Sequence, residues 1–339
     1  MGVVKILSLD GGGTKGFFQM HFLNLLEKRL KRPLRDVFQY IGGTSIGGIN
    51  AVFLTHPLKW FGYRNDFFIQ EMLDSELPET LLKVFFEGPP LWFKSIGLFH
   101  ARYSYQMDVI DAALRDHIVG NEAYGEGITS QQARCMVFAH NAGNDKVKVF
   151  KSWKHSEYYL YTVVRSTSAA PVFFTPVCID EDVFVDGGLA GANNPTPFIL
   201  YEAKLYNPHD EYVILSLGTG NYDLKFTCDS VEKGSIKEWA SNFVTLILNS
   251  SDRSFEYLCG RHEYEGEEYE SEEKNLSHNG GHLGYYYCPP NLTFRFRPGL
   301  NTGIDEISKE FLEKAKNIAY QIFEEAPELI DKLVMALNK

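Results

Sequence analysis

Cysteine is scarce in this chain of 339 residues. The five present, Cys135, Cys178, Cys228, Cys259 and Cys288, are odd in number and far apart, with no CxxC pair and no metal-ligand spacing. That argues against a disulfide scaffold and for thiols serving as small core residues in a reducing compartment. Positive charge is also in deficit. Lys and Arg number 33 against 44 Asp and Glu, a formal net charge of −11, which argues against broad capture of a nucleic acid polymer or an anionic membrane. No apolar run is long enough to span a bilayer, and Met1-Gly2-Val3-Val4-Lys5-Ile6 enters a strand without a charged leader or a myristoylation site. The expected location is cytoplasmic, with peripheral membrane contact. Internal repeats and Pro/Ser linkers are missing too, so the expectation is a single domain over residues 1–339.

Glycine is where the chain is rich. The run Ile41-Gly42-Gly43-Thr44-Ser45-Ile46-Gly47-Gly48-Ile49-Asn50 contains GxSxG, preceded by a strand-like Phe38–Ile41 and followed by a helical Ile46–Leu54. This is the pattern of a nucleophile elbow, in which a serine sits on a strained strand-to-helix turn. Gly43 and Gly47 remove the Cβ atoms that would collide there, and the helix N-terminus favours negative charge near the hydroxyl. The bland reading is a glycine-rich turn with no chemistry.

A second glycine run, Asp10-Gly11-Gly12-Gly13-Thr14-Lys15-Gly16, follows the β-branched strand Val3–Leu9 and precedes helical spacing over Phe17–Leu30. Consecutive glycines let backbone N–H groups converge on a phosphate or on the oxyanion of a tetrahedral intermediate. Further strands are expected at Arg134–His140, Lys146–Ser152, Val172–Ile179, Val183–Val185 and Tyr212–Leu217. Helices are expected at Met107–Ile118, Tyr158–Ser168, Pro195–Tyr206, Ile304–Glu325 and Leu329–Leu337. The stretch from Cys228 to Pro290 carries the least pattern, and its acidic run from Glu263 to Glu273 lacks calcium-loop spacing and reads as a solvated loop. The aromatic segment after His56, including Trp60, Phe61, Phe85, Phe86, Trp92, Phe93 and Phe99, reads as core under an insertion, with a lid or interfacial surface as the functional alternative.

Four blocks in order carry a family resemblance: the Asp10 to Gly16 loop, the Ser45 elbow, Ser166-Thr167-Ser168-Ala169-Ala170-Pro171, and Asp186-Gly187-Gly188. Together they resemble the patatin-like phospholipases, which are Ser-Asp lipid acyl hydrolases. The resemblance spans roughly residues 3 to 220, with a divergent insert at about 56–133 and a divergent C-terminal part at about 221–339. It implies an α/β, three-layer fold with a largely parallel central sheet and helices on both faces. It also implies a phospholipid substrate at a membrane surface, no metal and no cofactor. Carried over by motif, Ser45 becomes the nucleophile and Asp186 its base. Gly11, Gly12 and Gly13 become oxyanion donors, and Lys15 adds positive charge. Asp10 is expected to hold the loop's shape, and the Ser166 block to support the strand that delivers Asp186. For some bacterial relatives the resemblance implies activation by a second-messenger nucleotide or a protein partner.

Two other chemistries compete. His209, His262, His278 and His282 follow Asp186 and would complete a Ser, Asp, His order. The DGGGTK loop with Leu215-Ser216-Leu217-Gly218-Thr219-Gly220 also looks like the two phosphate loops of an actin-like ATPase or sugar kinase. That fold needs a hairpin after the first loop, where this chain has helical periodicity.

Overall fold

The structure, a computed structural model, describes residues 2–56, 69–74, 111–112, 114–118, 120–126, 128, 132–171, 174–220, 246–251, 276–278, 281–288, 291–300 and 308–339. The strands are β1 (Val3–Leu9), β2 (Tyr40–Thr44), β3 (Arg134–Asn141), β4 (Lys146–Lys151), β5 (Val177–Ile179), β6 (Asp182–Asp186), β7 (Glu211–Leu217), β8 (Leu276–His278), β9 (Gly281–Cys288) and β10 (Asn291–Arg297). They form one sheet in the order β5-β6-β3-β2-β1-β7-β10-β9-β8, with β4 also paired to β3. The middle five, β3, β2, β1, β7 and β10, are parallel, while β4, β5, β6, β8 and β9 join antiparallel at the flanks. The expected α/β architecture with a mostly parallel centre is what the chain adopts.

Both faces of this sheet are covered, as parallel sheets require. On one side α1 (Gly16–Leu30), α2 (Ile46–Thr55), α3 (Ile69–Asp74), α4 (Leu160–Thr167), α6 (Lys309–Glu325) and α7 (Pro327–Leu337) share a core with Leu7, Leu9, Ile41 and Val137. Phe18, Phe22, Leu23 and Leu26 of α1 are fully buried there, each contributing roughly 1.5–3 kcal/mol. The opposite face carries a smaller core, in which Ile199 and Ala203 of α5 (Thr196–Tyr206) meet Val4, Ile6, Tyr40, Met136, Phe138 and Ile214.

Local chemistry accounts for two of the helix ends. Ser308 caps α6 by accepting from the Phe311 N–H, and α1 ends where Lys31 turns left-handed at φ 56°. The β2 strand lies later than the apolar pattern suggests, because Gly42 and Gly43 belong to it. A Cβ on Gly42 would stand 2.7 Å from Ile199 of α5, so close helix packing, and not β-propensity, places glycine in a central strand. Of the expected strand at Val172–Ile179, Val177–Ile179 forms β5 and the Phe174 N–H turns back to the Ala170 carbonyl, while Val172 and Phe173 lie outside the described residues. The C-terminal part is less featureless than its composition suggests, for β8, β9 and β10 extend the sheet inside and just beyond the region of little pattern. The aromatic residues from Trp60 to Phe99, Met107 to Ile110 of the expected helix and the acidic run lie outside the described residues. Of that helix, Leu114–Ile118 forms a single π-helical turn. No helix among the described residues is long and apolar enough to cross a membrane.

His56 closes α2 and shows how the core tolerates a titratable ring. It stacks on Tyr124 at 5.2 Å, accepts the Gly125 N–H through Nε2 at 3.2 Å and meets Thr55 Oγ1 through Nδ1 at 3.0 Å. Burial pushes its pKa down to about 3, and that of His21 to about 4. Both rings therefore stay neutral in the folded chain while they protonate near pH 6.5 once unfolded. Their contribution is intact above pH 6.5 and is lost as pH falls toward those folded values, by up to about 1.4 kcal/mol per pH unit for each ring. Urea midpoints measured from pH 7.5 to pH 5 should fall steadily, and His56→Gln should flatten the slope.

Candidate active site

The β3 strand offers one edge to two partners. Along it β2 ends with Thr44 opposite Phe138, and β6 arrives from the other direction with Asp186 opposite Ala139. Ser45, the next residue after β2, is thereby brought against Asp186. The two blocks that stand 141 positions apart in the chain meet because consecutive residues of a third strand pair with them.

Ser45 itself has φ 55° and ψ −126°, a backbone state that costs a non-glycine residue about 1–3 kcal/mol and persists only where surroundings enforce it. Gly43 and Gly47 make those surroundings possible. A Cβ on Gly43 would run into the Gly47 carbonyl, and one on Gly47 into the Leu9 carbonyl, so β2, α2 and the end of β1 can touch backbone to backbone. The Ser45 N–H donates to Thr167 Oγ1 at 2.8 Å, and that hydroxyl donates to the Phe138 carbonyl at 2.6 Å. The Ser166 block thus holds the elbow through Thr167. It also holds the opposite partner, for the Asp186 N–H donates to the Ala169 carbonyl at 3.0 Å.

The Asp186 carboxyl is 4% exposed and accepts the Gly188 N–H at 2.8 Å. Burial pushes its pKa up to about 6, against the lowering effect of the Ser45 hydroxyl and the Gly188 N–H as donors. The Ser45 hydroxyl lies near enough to act on that carboxyl, but among the described residues the hydrogen bond the carboxylate accepts comes from Gly188 and not from Ser45. A loose nucleophile–base contact is usual before substrate tightens it. A carboxyl that titrates near 6 is poised to take a proton at neutral pH far better than one at its ordinary 3.8.

The glycine loop is pinned from several sides. The Asp10 N–H donates to the Leu217 carbonyl, Gln19 Nε2 donates to the Asp10 carbonyl, and Thr219 Oγ1 donates to the Gly11 carbonyl. Asp10 pairs with Arg295 of β10 through two bonds of 3.0 and 2.5 Å, and both side chains are 1% exposed. Asp10 thus shapes the loop, as its sequence position suggests. Gly11 departs from expectation as an oxyanion donor. Its N–H is donated to the Asn193 carbonyl at 3.0 Å, so that hydrogen points into the protein and only Gly12 and Gly13 remain of the three. Lys15 is fully buried in the 3-10 turn Gly13–Lys15.

Among the described residues the competing arrangements find no support in the geometry. After Lys15 the chain enters α1 directly and does not return as a strand, which removes the phosphate-loop hairpin. His209 is exposed before β7, at the opposite end of that strand from the glycine loop. His282 lies on β9, four strands from β2, or about 19 Å at normal strand spacing, and His278 lies on β8 beyond it. His262 lies outside the described residues. Among the described residues no group of three or more His, Cys, Asp or Glu side chains could hold a metal ion.

A strained serine facing a desolvated aspartate beside a pinned glycine loop invites comparison with known proteins. Residues 7–199 match the family model of the patatin-like phospholipases. The chain belongs to that family. Among curated relatives it is 25% identical to human (Homo sapiens) calcium-independent phospholipase A2-gamma, over 99% of this chain and 40% of that protein. It is 27% identical to a cGAMP-activated phospholipase of Pseudomonas aeruginosa, over 75% of this chain and 73% of that one. Patatin-15 of Solanum tuberosum is likewise 27% identical, over 70% of this chain and 66% of its own length. The chain therefore spans less than half the length of the human relative.

Arg295 and Asn193 are residues around the site that motif reading passes over, while Thr167 belongs to the Ser166 block already singled out, there as support for the Asp186 strand and not for the Ser45 amide. Arg295 sits in an alternating stretch, Asn291-Leu292-Thr293-Phe294-Arg295-Phe296-Arg297, in which polar residues alternate with apolar ones. That alternation was the available signal for a strand, though not for the ion pair. Arg295→Ala should destabilise the fold by about 3–5 kcal/mol in urea titrations, because it leaves the Asp10 charge buried without its partner.

Proposed function

We propose that the protein is a serine lipid acyl hydrolase that cleaves fatty acyl esters of phospholipids. The observation that carries this reading is the Ser45 hydroxyl facing the buried Asp186 carboxylate at a strained elbow. Family membership supplies the substrate class.

In the first step the Ser45 Oγ attacks the ester carbonyl while Asp186 accepts its proton. Negative charge forming on the carbonyl oxygen is met by the Gly12 and Gly13 N–H groups and by the positive end of α2. Collapse of the tetrahedral intermediate breaks the ester bond. The proton held by Asp186 passes to the leaving alcohol, which departs as the lysophospholipid. The fatty acyl group stays on Ser45. In the second step Asp186 takes a proton from water, the resulting hydroxide-like oxygen attacks the acyl carbon, and fatty acid leaves as the proton returns to Ser45. The reading assigns this chemistry to side chains and backbone without a metal. Lys15, buried in the loop, adds positive charge behind the oxyanion side. Substrate is taken from a membrane surface by a chain that docks peripherally.

The relation to a bacterial enzyme named as a cGAMP-activated phospholipase favours a second reading, in which a patatin core of this kind degrades membrane only when a nucleotide messenger or protein partner is present. Adding cyclic dinucleotides to the vesicle assay distinguishes constitutive from switched activity.

Ser45→Ala and Asp186→Asn should each lower fatty acid release from phospholipid vesicles at least about 10⁴-fold while leaving the circular dichroism spectrum intact. A fluorophosphonate probe should label the wild-type chain on the peptide that contains Ser45. Full activity in Asp186→Asn would remove Asp186 as the base.

Because Asp186 must be ionised to accept a proton, kcat/KM should rise with pH through about 6 and level off above it. The same raised pKa means that the carboxyl's favourable contribution to folding is present below pH 3.8 and is lost as pH rises through 6. At pH 8 Asp186→Asn should therefore be more stable than wild type by up to about 3 kcal/mol, as read from urea midpoints.

A further inference from the structure

Asn193 carries a buried carboxamide that the serine–aspartate pair does not use. The residue is 2% exposed, and its main-chain carbonyl takes the Gly11 N–H, removing one backbone donor from the glycine loop. Its side chain fills the room that two glycines leave. Asn193 Oδ1 lies 2.5 Å from the point where a Cβ on Gly11 would stand and 3.0 Å from the corresponding point on Gly188. The Gly11 point is also 3.2 Å from Ser45 Cβ, and the Gly188 point 3.2 Å from Asp186 Oδ1. The carboxamide is therefore wedged between the two halves of the site.

Oδ1 is buried with no hydrogen-bond partner among the described residues. A polar atom in that state calls for a functional explanation. What faces it is the Cα of Gly11 and of Gly188, whose C–H groups are weak donors that suit an oxygen and not an amide nitrogen. The amide is planar, so Nδ2 is turned away from both glycines. Nor does Asp186 take up this donor, since the groups that act on its carboxyl are Ser45 and Gly188. Among the described residues the Asn193 N–H bonds have no acceptor, and the amide lies within side-chain reach of the carbon that carries the nucleophile.

We propose that Asn193 is a further catalytic residue, whose Nδ2–H donates to the oxygen of the substrate ester as it becomes an oxyanion, replacing the Gly11 N–H that its own carbonyl occupies. The inference rests on the hydrolase reading. It explains why Gly11 lacks a side chain: a methyl there would displace the Asn193 oxygen and swing the nitrogen out of line, while at Gly188 a methyl would meet Leu248 at 2.8 Å as well as the Asn193 oxygen at 3.0 Å. It also explains why a residue following the Asp186 turn touches the loop on the other side of the serine.

The test uses two variants and three ligands. Asn193→Ala removes the amide, whereas Asn193→Asp keeps an oxygen against the two glycines and replaces the donor with an acceptor. At pH 8 both should lose about a hundredfold in kcat/KM on a short-chain ester, with KM little changed, as expected for a donor used only in the transition state. Affinity for a trifluoromethyl ketone, whose hemiketal carries the oxyanion, should fall in parallel. Affinity for a non-cleavable ether phospholipid should not. Wild-type kcat/KM in either variant would overturn the proposal, and so would an equal loss of affinity for the ether lipid, which would mark Asn193 as a spacer. Asn193→Asp fills nearly the same volume as the native side chain and keeps the test decisive should Asn193→Ala fail to fold. Failure of the wild-type chain to hydrolyse any ester, or to be labelled by a fluorophosphonate at Ser45, would instead defeat the hydrolase reading on which this inference stands.

Discussion

A single edge of β3 is what the rest of the arrangement depends on. Parallel β2 and antiparallel β6 divide that edge between them, one ending opposite Phe138 and the other opposite Ala139. Hydrogen-bond register is coarse in energy but exact in spacing, because slipping a strand by one residue would turn every side chain to the other face of the sheet. The two cores on either side of the sheet forbid such a slip, with Ile41 and Val137 committed to one and Tyr40, Met136 and Phe138 to the other. Packing far from the chemistry therefore sets the separation of Ser45 and Asp186.

The site then holds several unfavourable states at once. Ser45 keeps a left-handed φ, Asp186 keeps a carboxyl out of water, and Asp10 and Arg295 keep a full ion pair under the glycine loop. Each is tolerable because neighbours over-determine it. Thr167 fixes the Ser45 amide, Ala169 fixes the Asp186 amide, and Thr219 and Gln19 fix the loop carbonyls. The same desolvation that makes Asp186 costly to fold raises it into the range where a carboxylate can accept a proton. Stability and reactivity are in direct opposition at this one group.

The Asp10–Arg295 pair adds a link beyond the family segment. The matching region ends at residue 199, yet the guanidinium that seats the first residue of the glycine loop comes from β10. Arg295 also donates to Ser216, which meets Thr196 in a buried polar network under the sheet's active end. The C-terminal strands are thus built into the site's foundation.

Legibility from sequence followed the range of the interaction concerned. The elbow was readable because its letters are local: Gly43, Ser45 and Gly47 stand within five positions, with Gly43 demanded by the Gly47 backbone, although Gly47 itself is demanded by the end of β1 at Leu9. The strand, glycine loop and helix from Val3 to Leu30 were readable for the same reason, and so was the layering of α/β units. The Asp186 pairing came only through motif resemblance, because nothing in Asp186-Gly187-Gly188 itself distinguishes a base from a turn. The occupied Gly11 amide, the burial that lifts Asp186, the Arg295 anchor and the Asn193 wedge were decided by tertiary structure alone. Each depends on which backbone or side chain arrives from more than a hundred residues away, and desolvation has no counterpart in a string of letters. The chain's sequence thus determined where a serine would be forced out of its turn, and the folded sheet decided what that serine would face.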